Sequence, residues 1–476
     1  MYTARKQGFP VLVWKHDGAA GAGKQRSAVK DMTEGDPMKL IIGFALPLLG
    51  GLLFQQFYNL VDTLIVGRFL GVEALAGVGA TGSINFMIIG FCMGVCSGFA
   101  IPISQRFGAK SYSEMRRIFA HSIYMCAAFA LVMTMACTLL CRQILVAMRT
   151  PADILEYAYA YIWIIFLGIP VIFAYNLFSG AIRALGDSRA PVIFLIISSM
   201  INIALDLTFI LYANMGVAGA ALATVVSQAI SAVLSLLYIW KRVPLLHIKK
   251  EEWSLNPHYF QVLMVMGVPM GLQYSITAIG SVMLQTSVNT LGSVYVAAQT
   301  AGGKVSVFFC TPFDALGSTM ATYGGQNVGA GKIRRLDSGL KAASVLGCAY
   351  AVIAAVLLSI YSDRLTGLFL SEAQAEVIAN SHMLLMVNSL FYIPLAFVNI
   401  VRFMIQGMGY SELAVVAGIC EMVGRIVAAL LLIPHLGYMG ACLASPIAWM
   451  LADAFLFPAY IHCRKKSMAL CDSRVS

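Results

Sequence analysis

Gln55-Gln-Phe-Tyr58-Asn59-Leu-Val-Asp62-Thr-Leu-Ile-Val-Gly67 occupies the second half of an apolar segment that begins near Met38. The segment is long enough to cross a bilayer as a helix, which needs about 20 apolar residues. Gln55, Asn59 and Asp62 follow i, i+4, i+7 spacing, so all three share one helical face. A carboxylate at that depth costs about 2.5–3.5 kcal/mol on insertion scales, and such a residue faces a wet cavity or a partner rather than lipid. The stretch therefore reads as a membrane helix with one polar stripe.

The remaining composition agrees. Of 476 residues, 59% are hydrophobic and 11% charged, against about 25% charged in soluble domains. Mean hydropathy is +0.81. These values predict an all-α polytopic membrane protein and exclude a β-barrel, whose strands are short and alternate apolar with polar. The net charge of +10 comes from basic residues in short loops, where they orient the chain, and implies no nucleic-acid partner. The eleven cysteines lie mostly in apolar runs and read as packing residues.

Residues 1–37 read as a flexible cytoplasmic tail. Gly18-Ala-Ala-Gly-Ala-Gly23-Lys24 mimics a phosphate loop, but Gln25 stands where Ser or Thr would be needed and no α/β domain follows. From Met38 the pattern predicts twelve spans: 38–66, 73–104, 116–140, 156–182, 190–213, 217–241, 259–290, 294–323, 338–360, 377–404, 413–433 and 438–462. One set of loops carries Arg106, Lys110, Arg116, Arg117, Arg189, Lys241, Arg242, Lys249, Lys250, Lys332, Arg334, Arg335 and Lys341, and the C-terminal tail 463–476 adds Arg464, Lys465 and Lys466. The opposite loops hold Arg68, Arg142, Arg149 and Arg364. The basic set predicts the cytoplasmic side, with both termini there and an even number of spans.

The two halves repeat. Pro47 matches Pro269, Gln105-Arg-Phe-Gly-Ala matches Gln326-Asn-Val-Gly-Ala, Pro170 matches Pro394, Leu185-Gly-Asp-Ser matches Met408-Gly-Tyr-Ser, and Gly216-Val-Ala-Gly matches Gly437-Tyr-Met-Gly, at offsets of 221 to 224 residues. Six spans per half make these parallel repeats about an axis along the membrane normal. The N-lobe is 38–241, the linker 242–258 and the C-lobe 259–462. Pro47 and Pro269 kink the first helix of each half. Gly90, Gly94 and Gly98 form a close-packing face.

A second acid, Asp206, lies in a predicted span with Asn202 four residues earlier on the same face, and Thr224 lies on the next span. At about 1.5 Å per residue, Asp62 is about 8 Å from the outer end of its helix, and Asp206 and Thr224 are each about 12 Å from theirs. Two carboxylates, an amide and a hydroxyl suit a hard cation such as sodium. Two close, desolvated carboxylates equally suit a proton. Neither acid is duplicated in the C-lobe. There, Gln273, Thr277, Ser281, Gln285 and Asn289 recur every four residues, Lys304 and Asp314 share the next span, Glu421 and Arg425 form an i, i+4 pair, and Asp453 sits in the last span.

From Met38 to Arg464 the chain resembles the multidrug and toxic compound extrusion (MATE) family. The resemblance rests on the Pro47 helix with Val61-Asp62-Thr63, Gly180-Ala-Ile-Arg-Ala-Leu-Gly-Asp-Ser188, Asn202-Ile-Ala-Leu-Asp206, Gly216-Val-Ala-Gly-Ala-Ala-Leu-Ala-Thr224 and Gly325-Gln-Asn-Val-Gly-Ala-Gly331. Glu421-Met-Val-Gly-Arg425 looks like the DinF-like and MepA-like bacterial branch. The resemblance implies twelve helices in two V-shaped lobes and export of organic, often cationic, compounds against sodium or proton entry. It also implies a coupling-ion site at Asp62, Asn202, Asp206 and Thr224. Another branch places its cation site on acids of the C-lobe's first and fourth helices; this sequence has Gln273 near the first and no acid between 383 and 402, so it departs from that pattern.

The reading is an antiporter of the cell membrane, a monomer without a cofactor. Its substrate cleft is expected at Phe54, Gln55, Tyr58, Asn59, Tyr175, Gln273, Thr277 and Lys304. A lipid-linked precursor flippase is the nearest alternative, disfavoured by the few mid-membrane cations. An intramembrane enzyme would need a second acidic motif that the sequence lacks.

Overall fold

The structure, a computed structural model, describes residues 30–148, 150–368 and 375–472. All regular structure among them is helical. The twelve spans are α1 Pro37–Leu70, α2 Gly82–Gly108, α3 Tyr112–Leu139, α4 Leu155–Leu167 with Ile169–Ala184, α5 Arg189–Tyr212, α6 Gly216–Arg242, α7 Pro257–Asn289, α8 Ser293–Gly329, α9 Arg334–Gly367, α10 Ala375–Leu390 with Tyr392–Gly407, α11 Ser411–Leu436 and α12 Tyr438–Cys471. Nine of these are each long and apolar enough to cross a membrane, and the two bent pairs, α4 and α10, bring the number to eleven. α8 is the more polar twelfth, 37 residues long and carrying Lys304 and Asp314. The expected span 73–104 is broken at Thr81, with a separate short helix Val72–Ala80 before α2.

The repeat extends to the irregularities. α1 and α7 each begin with a side-chain cap and proline at the first helical position: Asp36 before Pro37, and Asn256 before Pro257. α4 bends by 47° and α10 by 54°. α5 contains a π-helical turn, Thr208–Tyr212, and α11 contains its counterpart, Ala428–Leu432. π turns insert one extra residue and recur at functional sites; the first of these follows Asp206 directly.

The first helix of each half is shared. In α1, Leu40, Ile41, Phe44 and Leu48 belong to the C-half core, whereas Ile65 and Val66 belong to the N-half core. Pro47 lies within the first set, just before Leu48. In α7, Tyr259 and Leu263 join the N-half core and Leu284 and Val288 join a C-half cluster. α2 and α7 cross so closely that a side chain at Gly94 or Gly98 would strike the Met270 or Met266 carbonyl.

The halves meet at the end that carries the basic loops. A Cβ on Gly108 would strike the Gln326 carbonyl, and one on Gly329 the Gln105 carbonyl. The Gln105 amide donates to the Gly407 carbonyl at 2.9 Å, and the Gln326 amide donates to the Ala184 carbonyl at 2.9 Å. These two bonds are repeat-related and both cross the seam. At the opposite end, Val72–Ala80, Cys141–Ala147, Ala375–Leu390 and Tyr438–Cys442 pack on helices of their own half. The lobes thus join at the basic end and part toward the other, as a V.

The expected flexible tail needs correction over its last residues. Positions 1–29 lie outside the described residues, as do Arg149 and 473–476, but 30–36 are docked, with Met32 fully buried in the C-half core. Apolar burial and hydrogen bonds from four polar side chains fix a segment whose composition reads as loop. The linker is likewise fixed. Glu252 accepts from Arg116 Nε and Nη2 at 2.7 Å each, from Ser113 at 3.1 Å and from the Lys249 N–H at 2.8 Å. Burial opposes its charge, but these hydrogen bonds prevail and hold its carboxyl below the ordinary value.

Candidate functional site

Asp62 reaches the site from α1, and Asn202 and Asp206 reach it from α5. The two helices pack along their lengths, and the carboxyl groups of Asp62 and Asp206 face each other. Asp206 is fully buried, Asn202 is 1% exposed and Asp62 is half-buried. Apart from the facing carboxyl of the pair, one oxygen of Asp62, both of Asp206 and both amide atoms of Asn202 are buried without a hydrogen-bond partner. Among the described residues neither acid has a Lys, Arg or His ion-pair partner. A buried polar group left in that state costs about 1–3 kcal/mol, and more when charged. The donor set, two facing carboxylates and a carboxamide, is all oxygen on its acceptor side and fits a hard monovalent cation or a proton. Among the described residues no three His, Cys, Asp or Glu converge as a transition-metal site.

Thr224 comes from a third helix. It lies on α6, half-buried, and its hydroxyl donates to the Ala220 carbonyl of its own helix at 3.1 Å, leaving its lone pairs free. Tyr58 is near Tyr175, Asp62 and Asp206 and within hydrogen-bonding reach of Gln55. Asn59 is exposed, and its carbonyl accepts from the Thr63 hydroxyl at 2.8 Å. Phe54 is half-buried on the same helix.

Tyr161 of α4 is the residue that sequence reading missed. It is 8% exposed and neighbours Asp62, Tyr58 and Asp206. A tyrosine in an apolar, aromatic-rich run looks like core, so nothing in the sequence marks it out. The motif Leu185-Gly-Asp-Ser188 has a structural use. Asp187 accepts the N–H groups of Arg189 and Ala190 at the start of α5 and the Tyr238 hydroxyl at 2.7 Å, while Ser188 donates to the Phe44 carbonyl of α1 at 2.9 Å.

The C-half is built differently. Gln273, expected in the cleft, is buried, and its amide oxygen accepts from Gln406 at 2.8 Å, so it ties α7 to α10. Thr277 is half-buried one turn on, and Lys304 is exposed on α8. Glu421 pairs with Arg402 at 2.7 Å and, more loosely, with its i+4 neighbour Arg425 at 3.4 Å. The sequence suggested only the second pair; the closer one joins α10 to α11. Asp453 and Asp314 both feel the fields of Arg402 and Glu421.

The MatE family model matches residues 47–208 and again 269–431. The probable multidrug resistance protein YoeA of Bacillus subtilis is 26% identical over 433 residues, covering 89% of this chain and 93% of that protein. The probable multidrug resistance protein YpnP of the same organism is also 26% identical, covering 92% and 98%. A solved structure described as the outward-facing conformation of a multidrug resistance MATE family transporter superposes with a TM-score of 0.87 at 21% identity, covering 94% of this chain and 99% of that one. With a family match in each half and a fold shared end to end, the chain belongs to the MatE family.

Proposed function

We propose that this chain is a membrane-embedded exporter that extrudes organic, cationic compounds in exchange for sodium ions or protons. One observation carries the reading. Two acids from different helices face each other in one half of a duplicated fold, with their buried oxygens otherwise unpartnered. Similarity to proteins named for multidrug resistance supports the export of small organic molecules. The basic end is taken as cytoplasmic by its Lys and Arg excess, so the cleft opens outward.

The coupling ion would be held by Asp62, Asp206 and Asn202, with Thr224 on the adjoining helix. A cation there neutralises the repulsion between the facing carboxylates and allows α1 and α5 to approach. α1 then transmits the change, because its second half belongs to one lobe and its first half, which carries the Pro47 break in the hydrogen-bond ladder, to the other. The cleft wall is supplied by Phe54, Gln55, Tyr58, Asn59, Tyr175 and Thr277, whose rings and polar groups suit flat organic cations.

The test is efflux of a fluorescent organic cation from proteoliposomes under separately imposed sodium and proton gradients. One gradient is expected to drive efflux, and Asp62→Asn is expected to abolish that dependence. Full gradient-driven efflux by Asp62→Asn would overturn the coupling role, and efflux indifferent to both gradients would overturn exchange altogether.

A further inference from the structure

We infer that residues 30–36 form a strap that locks the seam between the halves, so that the basic end opens only when the strap lifts. This rests on the fold alone and holds whichever ion or substrate the protein handles.

The strap touches both halves. The Lys30 N–H donates to the Leu185 carbonyl, in the loop between α4 and α5 of the N-half, at 3.2 Å. The side chains that bond its backbone from elsewhere in the chain come from the C-half. The Met32 N–H donates to Gln326 Oε1 at 2.8 Å, and the Asn327 amide donates to the Met32 carbonyl at 3.3 Å. Lys332 Nζ donates to the Thr33 carbonyl at 3.0 Å and Arg335 Nη2 to the Gly35 carbonyl at 2.9 Å. Met32 is 0% exposed and Thr33 3%. Such burial and bonding are unusual for a segment ahead of the first helix, which is ordinarily among the least ordered parts of a domain.

The strap also breaks the repeat symmetry. Gln105 and Gln326 make equivalent bonds across the seam, but only Gln326 also accepts from the strap, so one side chain ties the strap to Ala184 of the other half. Gly186 and Gly409 are repeat-related and both lie at positive φ, +89° and +98°. A Cβ on Gly186 would collide with the Lys30 carbonyl, whereas one on Gly409 would meet side chains alone, Gln105 at 3.2 Å and Met266 at 3.5 Å. Separating the halves at the basic end therefore breaks the two glutamine bonds and must also pull either Lys30 from Leu185 or the remainder of the strap from α8 and α9.

The test is hydrogen–deuterium exchange on the full-length protein in lipid nanodiscs, comparing wild type with Gly186→Ala, Met32→Ala and Met32→Asp. None of these alters Gln105 or Gln326. The peptides followed are 30–36, the seam ends 98–108 and 320–331, and the distant 345–360 and 444–456. Each variant is expected to speed exchange in 30–36 and, with it, in both seam peptides by about tenfold, the effect of losing one or two net hydrogen bonds, while the distant peptides stay at the wild-type rate. Faster exchange in 30–36 alone would make the segment a passenger and overturn the proposal. Equal acceleration in the distant peptides would make it part of the fold rather than a lock, and free-chain exchange of 30–36 in wild type would show it undocked; either result also overturns the proposal.

Discussion

Glu421 and Asp206 are both acids buried within membrane helices, and their neighbours give them opposite behaviour. Glu421 has a guanidinium at 2.7 Å and a second at 3.4 Å. Breaking such a buried pair leaves an uncompensated charge and costs about 3–5 kcal/mol. Arg402→Met is therefore expected to lower the thermal unfolding temperature of the detergent-solubilised protein markedly, and Arg402→Met with Glu421→Met to recover most of the loss. Asp206 has no such partner. Asp206→Asn removes a charge facing Asp62, so it is expected to abolish gradient-driven efflux while leaving the unfolding temperature unchanged or higher. Legibility at this scale followed charge against background. Asp62, Asp206 and Asn202 stand out in apolar runs; Asn202 and Asp206 group by helical spacing, and Asp62, on another helix, is joined to them by its matching depth and by the family resemblance. The Arg402–Glu421 bond could not be read so, because 19 residues and a change of helix separate the partners. The four-residue polar recurrence that includes Gln273 marks a face without saying which neighbour covers it, so its bond with Gln406 was not legible.

Among the elements, the linker and the α2–α7 crossing make separate demands. Glu252 is held below its ordinary pKa, so its contribution is fully present above the unfolded value of about 4.3 and fades as pH falls through the lower folded value. Glu252→Gln is expected to cost about 2 kcal/mol at neutral pH, the scale of charge-assisted hydrogen bonds, and to flatten the acid limb of a stability–pH curve measured by thermal unfolding. At the crossing, Gly98→Leu places a branched side chain against the Met266 carbonyl. It is expected to reduce folded yield by at least the 1–3 kcal/mol typical of overpacking, read by size-exclusion chromatography. Element positions were legible because lipid demands long apolar helices with internally paired backbones. The breaks were less so. Proline and glycine near 168–170 and proline at 394 hint at the two bends, but a π turn is one inserted residue with no compositional mark. α8 passed as a span through its place in the repeat although its own polarity argues against it.

For the whole molecule, the repeat fixed the architecture from sequence and the family match divides the chain in the same way. The direction in which the V opens was not legible, since it depends on which helix ends touch. Orientation in the cell is open to direct measurement. Among the described residues every cysteine is buried or half-buried, so background labelling should be low. Arg334→Cys, exposed at the basic end, is expected to react with a membrane-impermeant maleimide only after cells are permeabilised, whereas Arg142→Cys, exposed at the other end, reacts in intact cells. One feature of the C-half reaches further. Its buried glutamate is matched by guanidinium groups covalently tethered to the chain, so Glu421 carries its counter-charge with it. The facing acids of the other lobe have no tethered counterpart. The two lobes thus differ in where the neutrality of these acids comes from: Glu421 takes it from the chain, and the facing pair, under the proposed exchange, takes it from the medium.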